Sequence, residues 1–416
     1  MPNSKRNLSR TIENGWEADF PLETSDLKLK VKCHSKRRLK VLVLFGTRPE
    51  VIKLAPVIHR LKLEKQNFLT TVVSSGQHAD LLTPFINLFR LKIDYAFGVM
   101  RRNQTPSSVC AKILTLLDRV LKKENPDIVL VQGDTTTALA GAMAAFHRGI
   151  AVGHVEAGLR SGNAVSPFPE EMNRRLISQI ATFHFVATQF NYETLINEGI
   201  NARQIFVTGN PVVDALQTIL KKAVCKSEIN QLLSETHRLK RILLTTHRRE
   251  SFGKIMHENL RVLQDFVARH EDTAVFFPVH PNPAVKQAVQ IIFQKHPRIY
   301  LLNPLEYPDF VTLMANSWMV VSDSGGVQEE APSLGKPLLI LRENTERPET
   351  IMAGAAQLVG DNPQKLLRLL EENYANDDWA NSLKQIENPF GNGTAAAKIV
   401  EALSVSELLK SQTADH

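Results

Sequence analysis

The chain has 416 residues, 43% hydrophobic and 22% charged, a composition that suits two or three folded domains and excludes a disordered, collagen-like or coiled-coil chain. Ten Lys/Arg against five Asp/Glu in residues 1–40 carry +5 of the formal net charge of +7, so the rest is nearly neutral and no nucleic-acid partner is expected of it. No apolar run approaches the roughly 18 residues that span a bilayer, the longest being Ala138–Phe146, so membrane insertion is not expected either.

Residues 1–39 read as a basic, solvated extension. No apolar segment follows its charges, which argues against a secretion signal. The three cysteines, Cys33, Cys110 and Cys225, are scattered and form no CxxC pair, which suits a reducing cytoplasm rather than a disulfide framework.

The first strand is expected at Leu39–Phe45, a Leu- and Val-rich run closed by Gly46, with a helix following from Pro49 to Leu63. Similar runs recur at Leu69–Val73, Asp127–Val131, Ala151–Val155 and His184–Ala187, separated by helical stretches such as Thr135–His147 and Glu170–Ala181. The rhythm then repeats through Leu243–Thr246, Val275–Val279, Ile299–Leu302, Met319–Ser322 and Leu338–Leu341. Strands alternating with helices make βαβ units. We therefore expect an α/β protein of two Rossmann-like domains, residues 40–208 and 209–390, followed by a C-terminal helix and tail over 391–416. Ligands of open α/β sheets lie beyond the carboxyl ends of the strands, so two such halves imply a cleft between facing strand-end loops.

The segments at those strand ends are polar: Gly46–Glu50, Gly133–Thr137, His154–Arg160, Thr246–Glu250, Val279–Asn282 and Ser322–Glu330. Asp323-Ser-Gly-Gly326 ahead of a helical run suits a diphosphate, because bare Gly325 and Gly326 admit close backbone approach and Ser324 adds a donor; a tight turn that needs glycine is the plainer alternative. Glu329 and Glu330 are read as opening that helix, where the dipole favours carboxylates, and one of them suits a ribose diol. Arg48 and Arg347 are anion clamps or surface ion pairs. Lys53, one helical turn beyond Arg48, comes back to the same end of the sheet.

Asp134, Glu156, Glu170 and His247 are the acid–base candidates. Asp134 equally suits an N-cap. Glu156 ends a buried strand, so a functional role or an ion pair with Arg160 is needed to explain it. Glu170 has the ordinary excuse of a first-turn glutamate, and His247 beside Arg248 and Arg249 points to an anionic ligand. Gly391-Asn-Gly-Thr-Ala-Ala396 matches a loose GxGxxA with no strand before it, so it carries no dinucleotide. With no GxxxxGK[ST], no HExxH and no ligand spacing among 13 histidines, no required transition metal is expected.

At these residues the chain resembles the non-hydrolysing UDP-N-acetylglucosamine 2-epimerase family. The likeness runs in order from Lys40 to Glu401 through FGTRPEVIKLAP, GDTTTALA, VGHVEAGLRSG, SPFPEEMNR, VTGNPVVDAL, THRRESFG, FPVHPNP, SDSGGVQEEAPSLGKP and ENTERPE. It implies the two-domain glycosyltransferase B architecture, a homodimer, and interconversion of UDP-GlcNAc with UDP-ManNAc for surface polysaccharide synthesis, without a cofactor. It further implies that UDP is eliminated to leave bound 2-acetamidoglucal and is then added back. By the same resemblance Asp134, Glu156 and Glu170 match the catalytic carboxylates and His247 the histidine at the diphosphate. Arg48, Lys53, Phe310, Ser324, Gly325, Gly326, Glu330 and Arg347 match substrate-binding positions. At the place where some relatives hold an activating second UDP-GlcNAc, Gln77 and His280 are retained while Asp80 and Asn103 depart from the pattern. The alternatives are a hydrolysing epimerase, an epimerase for another UDP-sugar, and a glycosyltransferase of the same fold.

Overall fold

The computed structural model describes residues 37–77, 79–101, 104–222, 225–246, 253–293 and 296–406. The N-terminal extension, except for its last residues, lies outside them.

The first half is a seven-stranded parallel sheet: β1 (Leu39–Phe45), β2 (Phe68–Ser74), β3 (Tyr95–Ala96), β4 (Ile128–Gln132), β5 (Ala151–Ala157), β6 (Phe183–Val186) and β7 (Ile205–Val207), in the order β3-β2-β1-β4-β5-β6-β7. The second is a six-stranded parallel sheet: β8 (Lys240–Thr245), β9 (Thr273–Pro278), β10 (Ile299–Leu302), β11 (Met319–Ser322), β12 (Leu338–Ile340) and β13 (Ala356–Leu358), in the order β10-β9-β8-β11-β12-β13. Both orders reverse beside the first strand, at β1/β4 and at β8/β11. That reversal opens a crevice at the carboxyl ends, where α/β sheets bind ligands.

The interior strands are buried over most of their length, as expected of a parallel sheet with helices on both faces. Sequence reading found ten strands and missed β3, β7 and β13. All three are sheet-edge strands of two or three residues; an edge strand pairs on one side only, so it leaves no long apolar run to detect.

Two helices from later in the chain complete the first half. The helix Arg48–Leu63 packs against Pro211–Lys222 and against the C-terminal helix Ala395–Val405. Val212, Val213, Leu216, Phe390, Ile399, Val400 and Leu403 share one buried cluster with Phe45, Leu54 and Ile58. The C-terminal helix, which sequence alone could assign to either half, thus covers the first sheet.

Candidate active site

The β1 loop turns into its helix through Glu50. Its buried carboxylate accepts from the backbone N–H of Gly46 and Thr47 at 3.0 and 2.6 Å, and from the Thr135 hydroxyl at 2.9 Å. Burial opposes the charge more than these donors support it, and the carboxyl is pushed up to about 7. The loops after β1 and β4 are thereby tied together, with Arg48 opening the helix and Lys53 one turn inside it.

At the end of β5 the register with β6 slips between Val155 and Ala157. Glu156 is the bulged residue. Its φ of +66° lies in the left-handed region that non-glycine residues rarely occupy, and strain there is held by surrounding structure. The displaced carboxylate is buried. It accepts from Lys53 Nζ, from Gln132 Nε2 and, at 3.1 Å, from Asn210 Nδ2. Arg160, offered from sequence as its ion-pair partner, instead pairs with Glu198 at 2.7 Å.

The second half closes the cluster. Lys53 Nζ lies 2.9 Å from Glu329, Glu329 accepts from Arg347 Nε at 2.6 Å, and Arg347 comes within 3.8 Å of Glu156. Lys53, Glu156, Glu329 and Arg347, each under a tenth exposed, form a balanced quartet with members from both halves. Burial raises the Glu156 carboxyl to about 7, with Glu329 adding to it and Lys53 opposing. Burial also works against Glu329, yet Arg347 and Lys53 outweigh it and hold that group down to about 2.

A short helix, Gly325–Glu330, starts at Ser324. Glu329 and Glu330 therefore close it rather than open it, so the helix dipole does not account for them. A Cβ on Gly325 would lie 2.9 Å from Arg347 Nη1, whereas one on Gly326 would meet nothing within 4 Å. The guanidinium thus rests over one bare backbone unit beside an open one. Glu330 accepts from the Tyr307 hydroxyl at 2.8 Å, and burial raises its carboxyl to about 7. The Tyr307 ring stands 6.0 Å from that of Phe85, over which Arg48 lies at 5.9 Å. Phe310, one turn along from Tyr307, is half-buried.

Asp134 and Glu170 belong to a neighbouring group. Asp134 is not the N-cap; Thr135 is, accepting from Ala138 N–H at 3.0 Å. Asp134 pairs instead with buried Arg174 at 2.6 Å, and Asn173 donates to its backbone carbonyl at 2.8 Å. Glu170 opens the helix Glu170–Ile180 that carries both partners. Arg174 also feels Glu346, which Arg342 grips at 2.9 Å. Despite burial, Arg342 and Arg347 hold the Glu346 carboxyl down to about 2. His247, with Arg248 and Arg249, lies outside the described residues, as do Asn103 and the side chain of Asp80. Gln77 accepts from Thr137 at 2.7 Å.

The sequence model of UDP-N-acetylglucosamine 2-epimerase matches residues 61–404. The chain belongs to the UDP-N-acetylglucosamine 2-epimerase family. It is 43% identical to the UDP-N-acetylglucosamine 2-epimerase of Bacillus subtilis over 368 residues, 88% of this chain and 95% of that one. Among solved structures, the Neisseria meningitidis UDP-GlcNAc 2-epimerase bound to UDP-GlcNAc superimposes with a TM-score of 0.81 at 39% identity, covering 88% of this chain and 99% of that one. The S. aureus MnaA–UDP co-structure gives 0.81 at 38% identity, with 88% and 96% covered. The paired parallel sheets are the glycosyltransferase B architecture of these family members.

Several polar residues of this cluster escaped sequence reading. Gln132 and Asn210 donate to Glu156, Tyr307 donates to Glu330, and Arg174 and Glu346 link the two halves. Asn210 sat inside a quoted motif and Gln132 one residue past an expected strand. Neither amide nor phenol announces itself without the carboxylate it meets.

Proposed function

We propose that this chain interconverts UDP-N-acetylglucosamine and UDP-N-acetylmannosamine without hydrolysing either. One observation carries the reading: the buried quartet Lys53, Glu156, Glu329 and Arg347 at the meeting of two sets of strand ends, in a chain of this family.

Carbon 2 of the sugar has no adjacent carbonyl, so removing its hydrogen alone is out of reach. In our reading a carboxylate takes that hydrogen as a proton while the bond between carbon 1 and the diphosphate oxygen breaks. UDP leaves with the bonding electrons, and 2-acetamidoglucal remains. Re-addition restores the bond to carbon 1 and delivers a proton to the opposite face of carbon 2. Asp134, Glu156 and Glu170 supply the acid–base groups. A carboxyl near 7 such as Glu156 is poised to exchange protons at neutral pH.

The leaving diphosphate must be stabilised and retained. Arg347, His247, Ser324 and the open backbone at Gly325 and Gly326 suit that task, with Arg48 and Lys53 opposite. Glu330 suits the ribose diol and Phe310 the base end. A diphosphate competes with Glu156 and Glu329 for Lys53 and Arg347; drawing those cations away raises the proton affinity of Glu156, which favours its taking the proton from carbon 2 as UDP forms.

We further take the protein to be a cytoplasmic homodimer with domains at 40–208 and 209–390, supplying ManNAc for surface polysaccharide and needing no cofactor. Incubation with UDP-GlcNAc followed by proton NMR tests the central reading. UDP-ManNAc is expected at equilibrium with substrate, carrying deuterium at carbon 2 when the solvent is deuterium oxide. Release of free ManNAc and UDP refutes the non-hydrolysing reading, and an unchanged substrate refutes the activity.

A further inference from the structure

Two chain segments pass between the halves, residues 208–210 outward and 388–391 on the return, and they run side by side. Asn210 N–H donates to Phe390 O at 2.7 Å. Gly209, at φ +85°, lies so close that a Cβ there would stand 3.0 Å from the same oxygen. From this crossover one side chain reaches the buried quartet. Asn210, 1% exposed, donates Nδ2–H to Glu156 Oε1 at 3.1 Å while its Oδ1 accepts from Val212 N–H at 3.1 Å.

The second bond fixes the first. An amide turned over to point oxygen at Glu156 would face a carboxylate with a lone pair and also lose Val212, so the helix entry locks Nδ2 toward the acid. The groups around Glu156 are Lys53 from the helix Arg48–Leu63, Gln132 from β4, Glu329 and Arg347 from the second half, and Asn210. Two cations already balance two carboxylates. A neutral donor strengthens the ionised form of Glu156 without disturbing that balance.

We propose that Asn210 is a positioning residue for Glu156: from the crossover between the halves its amide fixes the carboxylate in its bulged setting and favours its ionised form. This rests on the reading of Glu156 as an acid–base group. A plain helix-entry role makes a different claim, because an aspartate accepts from Val212 as well as an asparagine does.

Asn210→Ala and Asn210→Asp separate the two. If Asn210 serves Glu156, loss of the donor moves the acid limb of the kcat/KM profile upward by about one to two pH units in Asn210→Ala. The limb moves further in Asn210→Asp, where a second carboxyl faces the first; kcat at pH 7 falls about fivefold or more in both while KM changes less than threefold. If Asn210 serves only the helix, Asn210→Asp resembles the parent and Asn210→Ala is the worse variant; that order, or an unmoved acid limb, overturns the proposal. Retained melting temperature and UDP-induced thermal shift establish folding. The same ordering is expected in a ¹³C titration of the Glu156 carboxyl, assigned with Glu156→Gln. That measurement needs no turnover, so a chain that failed to epimerise would sink the functional reading and leave this test standing.

Discussion

Glu329→Gln removes one charge from the quartet without changing its shape, and the response of Glu156 to it has a definite sign. Glu156 and Glu329 each place an oxygen no farther than 2.9 Å from the same Lys53 Nζ. Two like charges at most about 6 Å apart interact by about 3 kcal/mol at an effective dielectric near 20, worth about two pH units. Removing Glu329 also frees Lys53 and Arg347 to act on Glu156 alone, which pushes the same way. The Glu156 carboxyl, about 7 in the parent, should therefore fall toward about 5. Measured as kcat/KM for UDP-GlcNAc against pH, with product followed by proton NMR, the acid limb of E329Q should lie about two units below the parent. A limb that stays in place or rises refutes the electrostatic reasoning, whatever happens to the absolute rate.

Three further outcomes are expected. Burial holds His154 neutral down to about 3, with its Nε2 2.7 Å from the Gly133 carbonyl; a histidine whose folded pKa is depressed stabilises the fold above its unfolded value and loses that contribution as pH falls below it. His154→Gln should therefore gain on the parent by about 2 kcal/mol between pH 7 and pH 5 in paired urea titrations, and a pH-independent difference would contradict it. Gly141→Ala places a Cβ 2.5 Å from Leu44 Cδ2 and should cost about 1–3 kcal/mol in the same assay; an unchanged midpoint would show that the helix moves freely there. Tyr307→Phe removes the donor to Glu330, so that carboxyl rises above about 7. UDP affinity by calorimetry at pH 7 should then weaken about fivefold, whereas parental affinity would detach Glu330 from nucleotide binding.

Much of the architecture was legible because a buried parallel strand is a short, dense apolar run and its helices repeat between such runs. The strand-end position of Arg48, Asp134, Glu156 and Ser324 followed from the same pattern. What stayed hidden depended on contacts across the fold. Nothing local to Glu329 reveals that Lys53, far back in the first half, will meet it. The bulge that swings Glu156 out of the sheet is visible only in the pairing of β5 with β6. Arg160 looked like the partner of Glu156 by proximity in sequence, yet the turn after β5 sends it toward Glu198. The edge strands β3, β7 and β13 were missed because two or three residues held from one side need no characteristic composition.

The covering of the first sheet by Phe390, Ile399, Val400 and Leu403 has a consequence for biosynthesis. When Ile219 leaves the ribosome every strand of that sheet has been made, yet one side of the helix Arg48–Leu63 still lacks its neighbour. At about 5–20 residues per second the ribosome needs roughly 10–40 s more to deliver the last helix. Throughout that interval the nascent half shows a greasy face to solvent, and a nonsense codon anywhere before Ala395 would leave it uncovered for good.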